Sequence, residues 1–157
     1  MSMVGLPETY RFGLFNGTGT TISNGPVGQP GPTVSGRRVR FDSTGTMSYE
    51  AASFVFFSIT SLSGGNIGAN SYRTGSTWSN TVSGWLGGEF SISSFAPTGA
   101  SGNLAVYLET SVDGGTTWPS PVSANGQGGG IIVAVIGFAS TTFASTASTA
   151  RTVAFEL

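Results

Sequence analysis

The chain contains no cysteine and no histidine, and its six basic residues are all arginine, so lysine is absent too. Without cysteine there are no disulfides and no thiolate metal sites. Without histidine the commonest general base and metal ligand is missing. Charge of either sign is scarce: 8% of residues are charged, where ordinary soluble domains have about 25%. The formal net charge is −1. Such a balance provides no basic stripe for nucleic acid. It also provides little like-sign repulsion to keep neighbouring copies apart. The longest apolar run, 131–136 (IIVAVI), is of strand length, far short of the ~20 residues a membrane helix needs. The opening residues, MSMVGLPETYRFG, hold too short an apolar run for a secretory signal. Nowhere do apolar residues recur at i, i+3, i+4 and i+7 over three turns, so no substantial helix is expected.

What is present is glycine, serine, threonine and short apolar alternations. The chain has 25 glycines in 157 residues, a length that suits one domain with a real core. Residues 1–8 are expected to form an N-terminal arm and residues 9–157 a single sandwich. Strand-like stretches occur at 10–15, 33–42, 52–62, 89–95, 103–112, 131–139 and 151–157. In 33–42, Val34, Val39 and Phe41 are the inward candidates. In 52–62 both faces are apolar, which suggests a central strand or one at a subunit interface. In 103–112, Ala105, Tyr107, Glu109 and Ser111 alternate with Val106, Leu108, Thr110 and Val112, the pattern of a strand with one wet face. Between these stretches lie Gly/Pro-rich or polar loops at 24–32, 64–75 and 119–130. The intervals 24–32, 64–76 and 119–130 are too long for tight hairpins and suggest crossings between sheets. The expectation is an all-β antiparallel sandwich or jelly roll of seven to eight strands.

Candidate chemistry is sparse. The seven acids (Glu8, Asp42, Glu50, Glu89, Glu109, Asp113 and Glu156) are scattered singly, with no D-x-D-x-D metal spacing. Gln127-Gly128-Gly129-Gly130 lacks the Lys and Ser/Thr of a phosphate loop. No catalytic, cofactor or metal residues are expected, and the chain is read as a non-enzyme. Arg37, Arg38 and Arg40 form the one basic cluster; in a strand Arg38 and Arg40 share a face and Arg37 takes the other. They suit either contact with an acidic neighbouring subunit or a solvated edge. Met1, Met3 and Leu6 of the arm, with Tyr72 and Arg73, are further candidate subunit contacts. Trp78, Trp85 and Trp118 suit core anchoring or an exposed platform for sugar.

One local motif stands out. In Ser111-Val112-Asp113-Gly114-Gly115-Thr116-Thr117-Trp118 the glycines tolerate positive φ and Asp113 can accept hydrogen bonds from the backbone ahead of it. Trp118 is expected to restart an apolar strand face. The spacing S-x-D-x-G-x-T-W resembles the Asp-box hairpin of sialidases and other neuraminidase-repeat proteins. In that family the box lies away from the active site, so the resemblance implies a self-locking turn built by Ser111, Asp113, Gly115, Thr117 and Trp118.

The order of the C-terminal third, LAVYLETS, DGGTTWP, a Gly-rich loop, IIVAVIGFA and a closing RTVAFEL, resembles small virion proteins of tailed bacteriophages. That resemblance covers about residues 103–157. It implies a structural role in the virion, assembled in the bacterial host cytoplasm. The first reading is a homo-oligomeric capsid decoration (cement) protein, a dimer or trimer, touching the major capsid protein. The alternatives are a tail, fibre or baseplate component touching tail proteins, and a carbohydrate-binding Asp-box module. Direct nucleic-acid or membrane partners are not expected.

Overall fold

The fold is taken from a computed structural model, which describes residues 6–24, 31–61, 65–81, 84–95, 99–119, 130–138 and 151–157. Its elements are β1 (Thr9–Gly17), β2 (Ile22–Ser23), β3 (Thr33–Phe41), β4 (Met47–Tyr49), β5 (Phe54–Ser58), a 3-10 turn (Ile59–Ser61), β6 (Asn66–Ile67), β7 (Ser71–Thr74), β8 (Trp78–Ser79), β9 (Gly87–Ser94), β10 (Gly102–Thr110), β11 (Ile131–Phe138) and β12 (Arg151–Glu156). The molecule is an all-β antiparallel sandwich. One sheet runs β11-β10-β1-β7, with β8 also on β1; the other runs β12-β9-β3-β4, with β5 also on β3. Strands β2 and β6 make a small separate ladder.

The alternations in the sequence build the core. Tyr10, Phe12 and Leu14 of β1 and Leu104, Val106 and Leu108 of β10 face Val34 of β3 and Phe90 and Ile92 of β9 in one buried cluster. Phe12 lies near its centre, with ring centroids 5.3 Å from Phe90 and 5.8 Å from Phe56. Each such ring contributes about 1.5–3 kcal/mol through burial alone.

Several local expectations need correction. Strand β10 has both faces covered: Ala105, Tyr107 and Glu109 are buried as well as Leu104, Val106 and Leu108. It sits between β1 and β11, and its second face packs against Phe15 and Tyr72. Strand β5 is not central, since it pairs with β3 alone among the described residues. Its register shifts between the Val34–Phe57 and Ser35–Val55 pairs. That bulge turns both Phe56 and Phe57 inward and leaves Phe54 and Val55 exposed. On β3, Val34 is buried but Val39 and Phe41 share the outward face with Ser35 and Arg37, because the β3–β9 register runs without a break. The polar stretch 64–75 contains β6 and β7. The interval 119–130 joins neighbouring strands of one sheet and makes no crossing, whereas 18–32 and 59–70 do cross. Trp118 lies in no strand; β10 finds its next partner at β11. Leu6, placed with the arm by sequence, is buried in the chain's own core and bonded through its N–H to Leu86 O at 3.0 Å.

Candidate functional site

Strand β10 ends at Thr110, and the chain then closes on the Asp113 side chain. The Ser111 hydroxyl donates to Asp113 Oδ1 at 2.7 Å and accepts the Gly115 N–H at 2.8 Å. Asp113 also accepts the N–H of Thr116 at 3.1 Å, the N–H of Thr117 at 2.8 Å and the Thr117 hydroxyl. Gly114 and Gly115 stand at φ 72° and 97°, where a side chain would be strained. These donors, the Thr117 hydroxyl foremost, pull the Asp113 carboxyl down to about 2. Trp118 folds back, its Nε1 donating to Gly115 O at 3.0 Å, and the Arg11 guanidinium lies 4.0 Å from its ring centroid. Arg11 in turn donates to buried Glu109 at 2.5 Å. The turn is thereby fastened to β1 and β10.

A second turn repeats the device. Asp42 Oδ1 accepts the N–H groups of Thr44 and Thr46 at 2.8 and 3.0 Å and the Thr44 hydroxyl at 2.6 Å, closing β3 onto β4. Those bonds, the Thr44 hydroxyl first, lower its pKa.

The arginine cluster splits by face. Arg38 points inward and is nearly buried. Its Nε donates to Glu50 Oε1 at 2.9 Å, its Nη2 bonds the same oxygen, and its N–H donates to Oε2 at 2.9 Å. The rings of Trp85, Trp78 and Phe56 surround the guanidinium at 5.1, 5.5 and 5.8 Å. Tyr10 is buried beside it, and burial pushes its phenol up to about 12. Arg38, one of the candidate subunit contacts, is held as an internal lock by Glu50 of its own chain. Arg40, on the same face, lies 4.8 Å from the Trp85 ring centroid. Arg37 points outward, half exposed, and stands 3.9 Å from half-exposed Glu89.

The remaining sequence candidates do not converge. Tyr72 lies over β1, its ring edge-on to Tyr107 at 5.8 Å, and Arg73 is exposed. Met1 and Met3 lie outside the described residues. The three tryptophans are engaged within the chain: Trp85 is buried, Trp78 packs on the core, and Trp118 is stacked by Arg11.

The outward face of the second sheet is the surface that sequence reasoning missed. Phe41 and Met47 pair across β3 and β4 and are 56% and 54% exposed. Val39 and Tyr49 form the next pair, and Tyr49 donates to Glu89 Oε1 at 3.1 Å. Beside them a hollow of about 250 Å³ is lined by Ser35, Arg37, Ser53, Glu89 and Ser91. The partners Glu50 and Glu109 were also missed, as were two buried amide hubs. Asn16 bonds Thr18, Thr20, Ile67 and Gly68; Asn80 bonds Leu6 and Trp85. Parity along β3 was the available clue to the exposed face: Phe41 and Val34 fall on opposite sides of a regular strand.

Among the described residues, no three His, Cys, Asp or Glu side chains are grouped as metal ligands. No protein family, curated protein or solved structure matches the chain.

Proposed function

We propose that this chain is a structural component of a tailed-bacteriophage particle, a decoration protein bound to the head through the major capsid protein. One observation carries the reading. Two ion pairs, Arg11–Glu109 and Arg38–Glu50, are drawn into the fold, while the outward face of the second sheet leaves Phe41 and Met47 more than half exposed. Five of the seven acids have assigned partners: Asp42 and Asp113 hold turns, buried Glu50 and Glu109 hold partly buried arginines, and Glu89 meets Arg37 and Tyr49. A chain built this way offers shape and contact area, and exposed apolar patches of this kind mark association surfaces. The strand–DGGTTW–strand order of the C-terminal third supports a virion setting.

The test is fractionation of purified particles into DNA-filled heads and tails, with quantitation of this chain in each. Many copies per head support decoration. A few copies confined to tails would replace it with the tail-component reading, and absence from both would overturn the virion role. The carbohydrate-binding alternative is the weaker reading, because Trp85 is buried, Trp78 packs on the core and Trp118 is stacked by Arg11.

A further inference from the structure

We infer that Asn16 is a deamidation site closed by folding: the unfolded chain converts it, the folded chain protects it, and a chain that has lost the amide does not regain this fold. The inference stands on the surroundings of Asn16 and does not need the virion assignment.

The reacting unit is the dyad Asn16-Gly17. In a loose chain the Gly17 nitrogen attacks Cγ of the Asn16 carboxamide. A bond forms from that nitrogen to Cγ, the Cγ–Nδ2 bond breaks, and ammonia leaves with the proton that the nitrogen gives up. Water then opens the cyclic imide at either carbonyl carbon. The product is aspartate in the ordinary backbone, or isoaspartate, in which the backbone runs through the side chain. Glycine makes the attack fast, because no Cβ hinders the approach of its nitrogen. Asn24 and Asn125 are also followed by glycine. Asn24 is exposed, and Asn125 lies outside the described residues.

Folding withdraws Asn16 from this reaction. Its side chain is fully buried. Nδ2 faces three main-chain oxygens, those of Thr20 at 2.7 Å, Ile67 at 2.9 Å and Gly68 at 3.0 Å. Oδ1 accepts the Thr18 hydroxyl at 2.7 Å and the Thr18 N–H at 3.1 Å. The backbone is held as well: Asn16 stands opposite Leu104 of β10 and Ser71 of β7, and its carbonyl accepts the N–H of Asn70 at 2.8 Å. Attack requires the carboxamide to swing towards the Gly17 nitrogen, and that motion breaks the side-chain bonds together. The reaction therefore waits for β1 to open.

The same bonds make the conversion final. A carboxamide presents donors from its nitrogen and an acceptor at its oxygen, and the Asn16 site uses both. An ionised aspartate has acceptor oxygens alone. In place of Asn16 it would set an anionic oxygen against the carbonyls of Thr20, Ile67 and Gly68 with no donor between them. A buried charge without a partner is far costlier than the neutral amide it replaces. Isoaspartate instead lengthens the backbone of β1 by one carbon, where the strand is in register with β10 on one side and β7 on the other. The residues beyond it then fall out of step with both partners.

The test holds the full-length wild-type chain at mildly alkaline pH, one sample native and one in guanidinium, and follows residue 16 by tandem mass spectrometry. Conversion at exposed Asn24 serves as the internal clock for the reaction. The native sample should lose the Asn16 amide about tenfold or more slowly than the denatured one. On dilution from guanidinium, the refolded pool should keep the amide at position 16, and the pool that fails to refold should be enriched in aspartate and isoaspartate there. Gly17→Ala should slow the loss of Asn16 in guanidinium about tenfold, a reading that does not require the variant to fold. Asn16→Asp should fail to fold or unfold at a much lower urea midpoint. Equal rates of Asn16 loss in the native and denatured samples overturn the inference. So do converted chains found equally in both pools, an unchanged rate in Gly17→Ala, or an Asn16→Asp chain with the wild-type midpoint. Particle fractionation bears on the virion role only, so either conclusion can fall without the other.

Discussion

The phenol of Tyr72 on β7 crosses directly over Gly13 of β1, where any Cβ would overlap the hydroxyl oxygen and the ring. Gly13 pairs in register with Tyr107, and its bareness lets the two tyrosine rings meet edge to face. Gly13→Ala should therefore destabilise by on the order of 1–3 kcal/mol, as overpacking does. Urea unfolding would measure it. A double-mutant cycle with Tyr72→Ala should return a favourable coupling of about 0.5–3 kcal/mol, because removing the ring vacates the space the new methyl needs. Additive effects would show that Tyr72 does not occupy that place.

Asp113 gives the turn an acid-sensitive lock. Its carboxyl titrates at about 2 in the fold, drawn down by the Thr117 hydroxyl and the backbone donors, whereas an ordinary aspartate titrates near 3.9. A lowered folded-state pKa means that the contribution is complete above the ordinary value. It is lost as pH falls from there through about 2. Asp42, lowered by the same kind of bonds, acts in the same direction. The urea midpoint of wild type should exceed that of Asp113→Asn at pH 5, and the gap should close towards pH 2. A gap that persists unchanged below pH 2 would assign the effect to something other than the ionised carboxylate.

The parts of the fold visible in the sequence are those set by local chemistry. The stretches 33–42, 89–95, 103–112, 131–139 and 151–157 lie within about two residues of β3, β9, β10, β11 and β12, because apolar alternation or, at 131–139, a β-branched run marks them. The bonds of the 111–118 turn join residues two to four apart, a range over which sequence is informative. What stayed hidden depends on distant partners. Short β4 and β7 are strands only because β3 and β1 accept them. The wet face assigned to β10 is dry because Phe15 and Tyr72 come from elsewhere. Arg37 and Arg38 are adjacent, yet Glu50 and the aromatic ring set that separate their roles lie on other strands and loops.

All four tyrosines are held above the ordinary phenol range. Burial does this at Tyr10, Tyr72 and Tyr107, and the bond to Glu89 does it at exposed Tyr49. A raised folded-state pKa gives a contribution that is whole below the unfolded value near 10 and disappears as pH climbs through about 12, the Tyr10 value. Absorbance at 295 nm should therefore show less tyrosinate in the folded chain at pH 10.5 than in the unfolded chain. A cooperative rise should follow, coinciding with loss of near-UV circular dichroism. In guanidinium all four should titrate together near 10. Tyr10→Phe should shift the alkaline unfolding midpoint upward; no shift would mean that Tyr10 ionisation does not drive it.

Arg38 and Arg37 are sequence neighbours with opposite energetic roles, and substitution should separate them sharply. Arg38→Met leaves the Glu50 carboxylate buried without its guanidinium, a loss of about 3–5 kcal/mol. Arg38→Met with Glu50→Leu removes both charges and should recover a large part, since the rings of Trp78 and Trp85 already make the site apolar. Arg37→Ala, by contrast, breaks a half-exposed contact at 3.9 Å and should change stability by no more than about 0.5 kcal/mol. Chemical denaturation of the three variants at one protein concentration, set low enough that self-association does not contribute, would rank them. If Arg37→Ala proved as costly as Arg38→Met, the outward placement of Arg37 on β3 would be wrong.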